Sequence, residues 1–146
     1  MLDIAVVISG SFRKHLPEIQ EAIRQFRALG VTVLSPQLSP AVNPSDDFVV
    51  LETDDTDDPS VLEQRHLAAI KKADMLYICN PDGYIGLTVA MEIGFARAEG
   101  VHVVAYHAPE DVTLQHFVDN AVLSPEEATA DYLRCFCSQK DDAYPA

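Results

Sequence analysis

The stretch Met75-Leu76-Tyr77-Ile78-Cys79-Asn80-Pro81-Asp82-Gly83-Tyr84-Ile85-Gly86-Leu87-Thr88-Val89-Ala90-Met91-Glu92-Ile93-Gly94-Phe95-Ala96 decides how this chain is read. It opens on a short apolar run, 75–79, with the length and composition of a buried strand. A turn carrying Gly83 and Gly86 follows, then an apolar helix over 87–99 that Gly100 ends. Strand, glycine-rich turn and helix are how a parallel α/β sheet presents a ligand site at the carboxyl ends of its strands. One carboxylate, Glu92, stands in that helix among apolar and small neighbours. Burying it is costly unless it has a partner or a task, so it is the first candidate for chemistry.

The alternation of strand and helix continues on both sides. Ile4-Ala5-Val6-Val7-Ile8 is a β-branched apolar run suited to a central parallel strand, and Ser9-Gly10-Ser11 turns the chain. Pro17 fits the first turn of a helix in which Ile19, Ala22, Ile23, Phe26 and Leu29 recur at helical spacing; Gly30 closes it. Residues 31–34 form the second strand of a βαβ unit. A proline-bearing loop over 35–47 leads to a short strand at 48–51 and an acidic loop at 52–58. That loop reads as a solvated turn, or alternatively as a lid or dimer edge. Ser60 is the expected N-cap of a helix over 61–72, with Glu63 completing a capping box. Asp74 is expected to hydrogen-bond loop backbone. A last strand at 101–106 precedes short helices near 112–119 and 125–136 and a frayed tail at 139–146. The whole predicts one α/β domain over 1–146: a parallel sheet of about five strands with helices on both faces.

Composition narrows the function. Acidic residues outnumber basic ones 23 to 10, for a net charge of −13, which argues against a nucleic-acid polymer as partner. No apolar run approaches the roughly 20 residues a membrane-spanning helix needs. The run at 4–8 is too short for a signal-peptide core and lacks a basic start, so a cytoplasmic location is expected. Three cysteines, Cys79, Cys135 and Cys137, form no disulfide framework, and they and the five scattered histidines lack metal-ligand spacing. No metal is expected. Cys79 reads as a small buried hydrophobe.

The first strand ending in Ser9-Gly10-Ser11, paired with Asp82-Gly83-Tyr84-Ile85-Gly86 and the helix bearing Glu92-Ile93-Gly94-Phe95-Ala96, resembles the nucleoside 2-deoxyribosyltransferase-like family. That family includes 2'-deoxynucleoside 5'-monophosphate N-glycosidases and cytidine-monophosphate hydrolases. Leu34-Ser35-Pro36 and Ala73-Asp74 are similar as well, and the likeness runs from Ile4 to about Tyr106. It implies a three-layer flavodoxin- or Rossmann-like fold and cleavage or transfer of the N-glycosidic bond of a nucleoside or nucleoside 5'-monophosphate. No cofactor is implied. The partners implied are a small-molecule nucleoside or nucleotide and further copies of the chain, as a homodimer or larger homo-oligomer.

The resemblance maps the family's nucleophilic Glu onto Glu92. A carboxylate beside the anomeric carbon can attack it, or stabilise the charge that builds there, while a second group helps the base depart. Asp82 and His66 are the candidates for that second role. Ser9, Gly10, Ser11 and Phe12 follow the first strand, where backbone N–H groups can hold an anion or sugar hydroxyls, with Arg13 adding positive charge. Gly83 and Gly86 shape the turn and Tyr84 lines the pocket. The family's Asp or Ser six residues before the nucleophile is replaced here by Gly86, and a family Asp in the preceding helix by His66. These departures motivate an alternative: a domain of the same fold that binds a nucleotide as a sensor without cleaving it.

Overall fold

The computed structural model describes residues 2–137. Strands β1 (Ala5–Ser9), β2 (Thr32–Ser35), β3 (Met75–Ile78), β4 (His102–Ala105) and β5 (Asn120–Ala121) form one five-stranded sheet in the order β2-β1-β3-β4-β5. All four pairings are parallel. This is the doubly wound order of a three-layer flavodoxin-like fold, in which the chain reverses its direction of winding between β1 and β3. Among the described residues five α-helices accompany the strands: α1 (Phe12–Ala28), α2 (Pro59–Lys72), α3 (Leu87–Ala98), α4 (Val112–Gln115) and α5 (Pro125–Tyr132).

The period of two along β1 explains the layers. Val6 and Ile8 face one side and pack with Ile19, Ile23 and Phe26 of α1 and Ala128 of α5. Val7 faces the other, with Ile70 of α2 and Ile93 and Ala96 of α3. Both clusters are apolar, and each large side chain withdrawn from water contributes about 1.5–3 kcal/mol. Tyr77 meets the edge of Phe26 at 5.1 Å between ring centres, and its hydroxyl donates to the Leu123 carbonyl at 3.0 Å. The ring is thus buried without stranding its polar tip.

Four expectations from sequence need correction. No strand forms at 48–51, where a single antiparallel bridge joins Ala41 to Leu51. Side chains have taken the backbone donors: Val50 N–H donates to Asn43 Oδ1 (2.7 Å) and Leu51 N–H to Asp54 Oδ2 (2.8 Å). The fifth strand is instead β5, two residues long. The N-cap of α2 is Asp58, whose side chain accepts from Ser60 N–H at 2.9 Å. Pro59 at the first helical position sets this start, so Ser60 lies inside the helix and Glu63 takes no part in a capping box. Helix α1 begins at Phe12, capped by the Ser11 hydroxyl, and kinks at His15, so Pro17 stands in the first turn beyond the kink. The helix at 112–119 is short, and the one starting at 125 passes at Leu133–Cys137 into a π-helical turn.

Other readings hold. Gly30 and Gly100 end their helices with φ of 82° and 74°. Asp74 Oδ2 accepts from a backbone N–H as expected, at 2.8 Å, but the donor is Ala5, the first residue of β1, rather than a loop residue. Cys79 is buried, and burial pushes its thiol up to about 12. Among the described residues no helix is long and apolar enough to cross a membrane. The expected frayed tail at 139–146 lies outside the described residues.

Beyond β1 the chain is pressed against the end of β3. Cys79 N–H donates to the Ser9 carbonyl at 2.8 Å, and a Cβ on Gly10 would lie 2.8 Å from the Cys79 carbonyl oxygen. The contact is with backbone, which cannot swing aside. Gly10→Ala is expected to cost about 1–3 kcal/mol in urea denaturation, since the loop must shift to admit the methyl group. An unchanged midpoint would contradict this packing.

Candidate active site

A cavity of about 790 Å³ opens at the carboxyl ends of β1 and β2, between α2 and α3. Its size suits a ligand of nucleoside dimensions. Ser9 and Ser35, the last residues of β1 and β2, form part of its wall with Glu63 and His66 of α2 and Glu92 of α3. The parallel register does this work: strands running the same way deliver their terminal side chains to one edge, and the following helices start there.

Glu92 lies on the inward stripe of α3. Val89, Glu92, Ile93 and Ala96 are its buried residues, at the spacing of one helical face. The carboxylate is therefore carried into the core side of the helix. His66 comes from α2 to meet it, with Nε2 at 3.7 Å from Glu92 Oε1. Two hydroxyls fix the imidazole: Ser35 Oγ at 2.7 Å from Nδ1 and Ser9 Oγ at 3.1 Å from Nε2. Burial pushes His66 down to about 4, so the ring is neutral at pH 7.

Glu63 lies one turn before His66 on α2, at the (i, i+3) spacing that puts both on one face. Its carboxyl neighbours that of Glu92, and Glu63 Oε1 is buried without a hydrogen-bond partner. Burial first, then the hydrogen bond and charge of Glu63, raise Glu92 well above the usual carboxylate range, while the Ser9 hydroxyl pulls the other way. Burial beside a second carboxyl therefore leaves Glu92 protonated above the pH at which a carboxylate normally ionises.

Of the residues singled out from sequence, Ser9, Gly10, Ser11, Phe12, Arg13, His66, Tyr84, Gly86 and Glu92 all border the cavity. Asp82 and Gly83 do not. The Asp82 carboxylate accepts from Tyr84 N–H at 3.0 Å and pairs with His15 Nε2 at 3.1 Å; the first of these contacts holds it below the usual carboxylate range. Its place is in the turn, which Gly83 closes at φ 81° through a hydrogen bond from its N–H to the Asn80 carbonyl. Arg13 pairs with Asp47 at 3.2 Å, and Lys14 lies 3.6 Å above the Tyr84 ring. The acidic loop supplies wall rather than a free turn, because Asp54 and Asp55 border the cavity and Asp55 pairs with Arg65 at 2.6 Å.

Sequence reasoning missed two members. Ser35 carried no assigned role, and Glu63 was assigned to a cap. The signal for Glu63 was the Asp58-Pro59 pair, which is a stronger helix start than Ser60 and frees Glu63 to face inward with His66. Among the described residues one group has the geometry to hold a metal ion, His102, Asp131 and Cys135, and it lies away from the cavity.

No family model and no curated protein matches the chain. Among solved structures it is similar to a conserved protein from Enterococcus faecalis V583, at 15% identity and a TM-score of 0.62, over 91% of this chain and 99% of that one. It is also similar to the CMP N-glycosidase BcmB of Clostridium botulinum, at 13% identity and a TM-score of 0.56, over 87% of this chain and 95% of that one. At such identities the likeness shows a shared fold.

Proton linkage makes the site costly to the fold. Folded Glu92 keeps a proton that the unfolded chain has lost above the ordinary glutamate value of 4.5, so stability falls as pH rises through neutrality. His66 acts oppositely: unfolded it charges below 6.5, folded only near 4, so its contribution is lost as pH falls between those values. Glu92→Gln is expected to raise stability at pH 8 by about 1–2 kcal/mol, with the gain shrinking toward pH 5. Thermal unfolding at both pH values checks this; a variant less stable than the parent at pH 8 would count against a protonated Glu92.

Proposed function

We propose that this chain is an enzyme that cleaves or transfers the N-glycosidic bond of a nucleoside or nucleoside 5'-monophosphate, with Glu92 as nucleophile. The observation that carries the reading is the Glu63–Glu92 carboxyl pair in a cavity of nucleoside size. The fold shared with a CMP N-glycosidase and the family resemblance of the Glu92 helix support it.

In the resting site the pair carries one proton and one negative charge. With a sugar bound, the charge rests on Glu92 and the proton on Glu63. Glu92 attacks the anomeric carbon, the C–N bond breaks, and its electron pair leaves with the base, which takes the Glu63 proton. Glu63, now a carboxylate, removes a proton from water or from an incoming base. That nucleophile displaces Glu92 from the sugar, and the pair returns to its starting state. Water gives hydrolysis; a second base gives transfer.

His66 serves as a positioning residue. Both its nitrogens are engaged by serine hydroxyls, and its neutral ring orients Ser9 and Glu92. Residues 9–13, Tyr84 and Gly86 hold the sugar, base and 5' end. Glu63 takes the leaving-group role that the sequence offered to Asp82 or His66. Leu87, 93% exposed at the cavity mouth, and half-exposed Met91 one turn on support a second copy of the chain seated against α3.

The test is a panel of ribo- and deoxyribonucleosides and their monophosphates, with free base read by chromatography and a second base added to detect exchange. Glu92→Ala is expected to abolish release, and Glu63→Gln to lower it by about 10²–10⁴-fold. Asp82→Ala is expected to stay within a few-fold of the parent. Release in the parent should fall on the alkaline side as the shared proton is lost. Tight binding of an intact nucleotide with no release across the panel would replace this reading with that of a sensor.

A further inference from the structure

All strands of the sheet run parallel, so their amino-terminal ends gather on the edge opposite the cavity. There the first residue of β4, His102, meets the end of α5. His102 Nε2 lies 3.1 Å from Asp131 Oδ2, and a ligand atom from each of His102, Asp131 and Cys135 lies within 4.8 Å of the other two. We propose that these three residues bind a divalent transition metal of the zinc class, in a structural site that ties α5 to the sheet.

The spacing suits such an ion. Tetrahedral zinc with bonds of about 2.0–2.1 Å to nitrogen and oxygen sets those atoms about 3.3 Å apart, close to the separation of His102 and Asp131. The thiol lies within 4.8 Å of both. Cys135 is exposed and stands in the π-helical turn Leu133–Cys137, so its side chain has room to move. Imidazole, carboxylate and thiolate together favour zinc-class ions over magnesium or calcium, which prefer all-oxygen sites. A net charge of −13 raises the local concentration of any cation.

The groups behind the three ligands are those a metal site needs. Asp131 is buried, and its Oδ1 accepts from Asn120 Nδ2 at 3.0 Å, leaving Oδ2 directed at His102. His102 Nε2 donates to Asp131, and Nδ1 faces Asp119 Oδ2 at 3.4 Å, an acceptor that would hold the ring's proton once a metal takes the Nε2 lone pair. Asp119 is itself fixed, accepting from Val103 N–H at 2.8 Å and from Arg97 at 2.6 Å. The His102 ring is held edge-on by Phe136 and Tyr132, with ring centres 5.2 and 6.3 Å away. Arg134 approaches Asp131 at 3.5 Å through Oδ1, the oxygen not offered to the metal. Sequence spacing hides this set, since His102 comes from one segment and Asp131 and Cys135 from another. Its distance from the cavity assigns it to stability rather than to bond cleavage.

The test uses the full chain, reduced and stripped with chelator, titrated with Co(II), Zn(II) and Mg(II). One Co(II) should bind per chain with a thiolate charge-transfer absorption in the near ultraviolet, and Zn(II) should displace it. At free zinc about a hundred times its dissociation constant, the unfolding equilibrium should shift about a hundredfold toward the folded state. Mg(II) should do neither. Cys135→Ser, an exposed change that leaves the core intact, should remove the absorption and weaken binding at least about tenfold. His102→Gln should also lose binding, while Cys137→Ser should retain both absorption and affinity. Absence of stoichiometric binding, or an absorption that survives Cys135→Ser or depends on Cys79 or Cys137, overturns the proposal.

Discussion

Glu92 is buried at the edge of the sheet beside a second carboxyl, and both its burial and that neighbour oppose its charge. Glu92 comes from the buried stripe of α3, and Glu63 from a half-buried position one turn before His66 on α2. The low-dielectric wall that makes the contact costly also keeps a proton available at neutral pH. His66, itself neutral, adds no positive charge to relieve the pair. A site that merely had to be stable would have replaced one of these acids by an apolar residue. Stability given up at a pocket of this size is the usual mark of chemistry rather than of packing.

The fold supplies that contact through direction more than through detail. Parallel strands place Ser9 and Ser35 at one edge, where both reach the same imidazole. Helices α2 and α3 lie on one face of the sheet and bring their inward stripes together above Val7, Leu76 and Ile78. Gly10 lets the loop after β1 press onto the end of β3, which keeps residues 9–13 beside the carboxyl pair. The opposite edge of the sheet gathers a separate polar cluster around His102, so the two ends of the strands present different chemistry.

The architecture was legible because it rests on apolar periodicity. The runs at 4–8 and 75–79, and the helical stripe from Ile19 to Leu29, each fit one kind of element, and the sheet follows from their alternation. Glu92 was legible for a related reason: a carboxylate on an apolar face stands out. What escaped the reading depends on side-chain hydrogen bonds that periodicity does not encode. Asn43 and Asp54 dissolve the strand expected at 48–51 by taking its donors. Asp58 and Pro59 start α2 earlier than Ser60 and thereby turn Glu63 inward. Asp82, adjacent to the glycine turn, had the right chemistry for an acid but is bound within the turn by Tyr84 N–H and His15. The two-residue β5 carries too little pattern to be seen from sequence at all.

The central claim is that Glu92, buried beside Glu63, keeps its proton at neutral pH. Carbon-13 labelling of the glutamate side-chain carboxyls, with Glu63→Gln and Glu92→Gln variants to assign the two resonances, reads this directly during a pH titration. The account predicts coupled titration of the two signals, with one step displaced well above the usual carboxylate range and restored toward it when either partner is replaced. Two independent transitions near the ordinary glutamate value, unchanged in the variants, would contradict it.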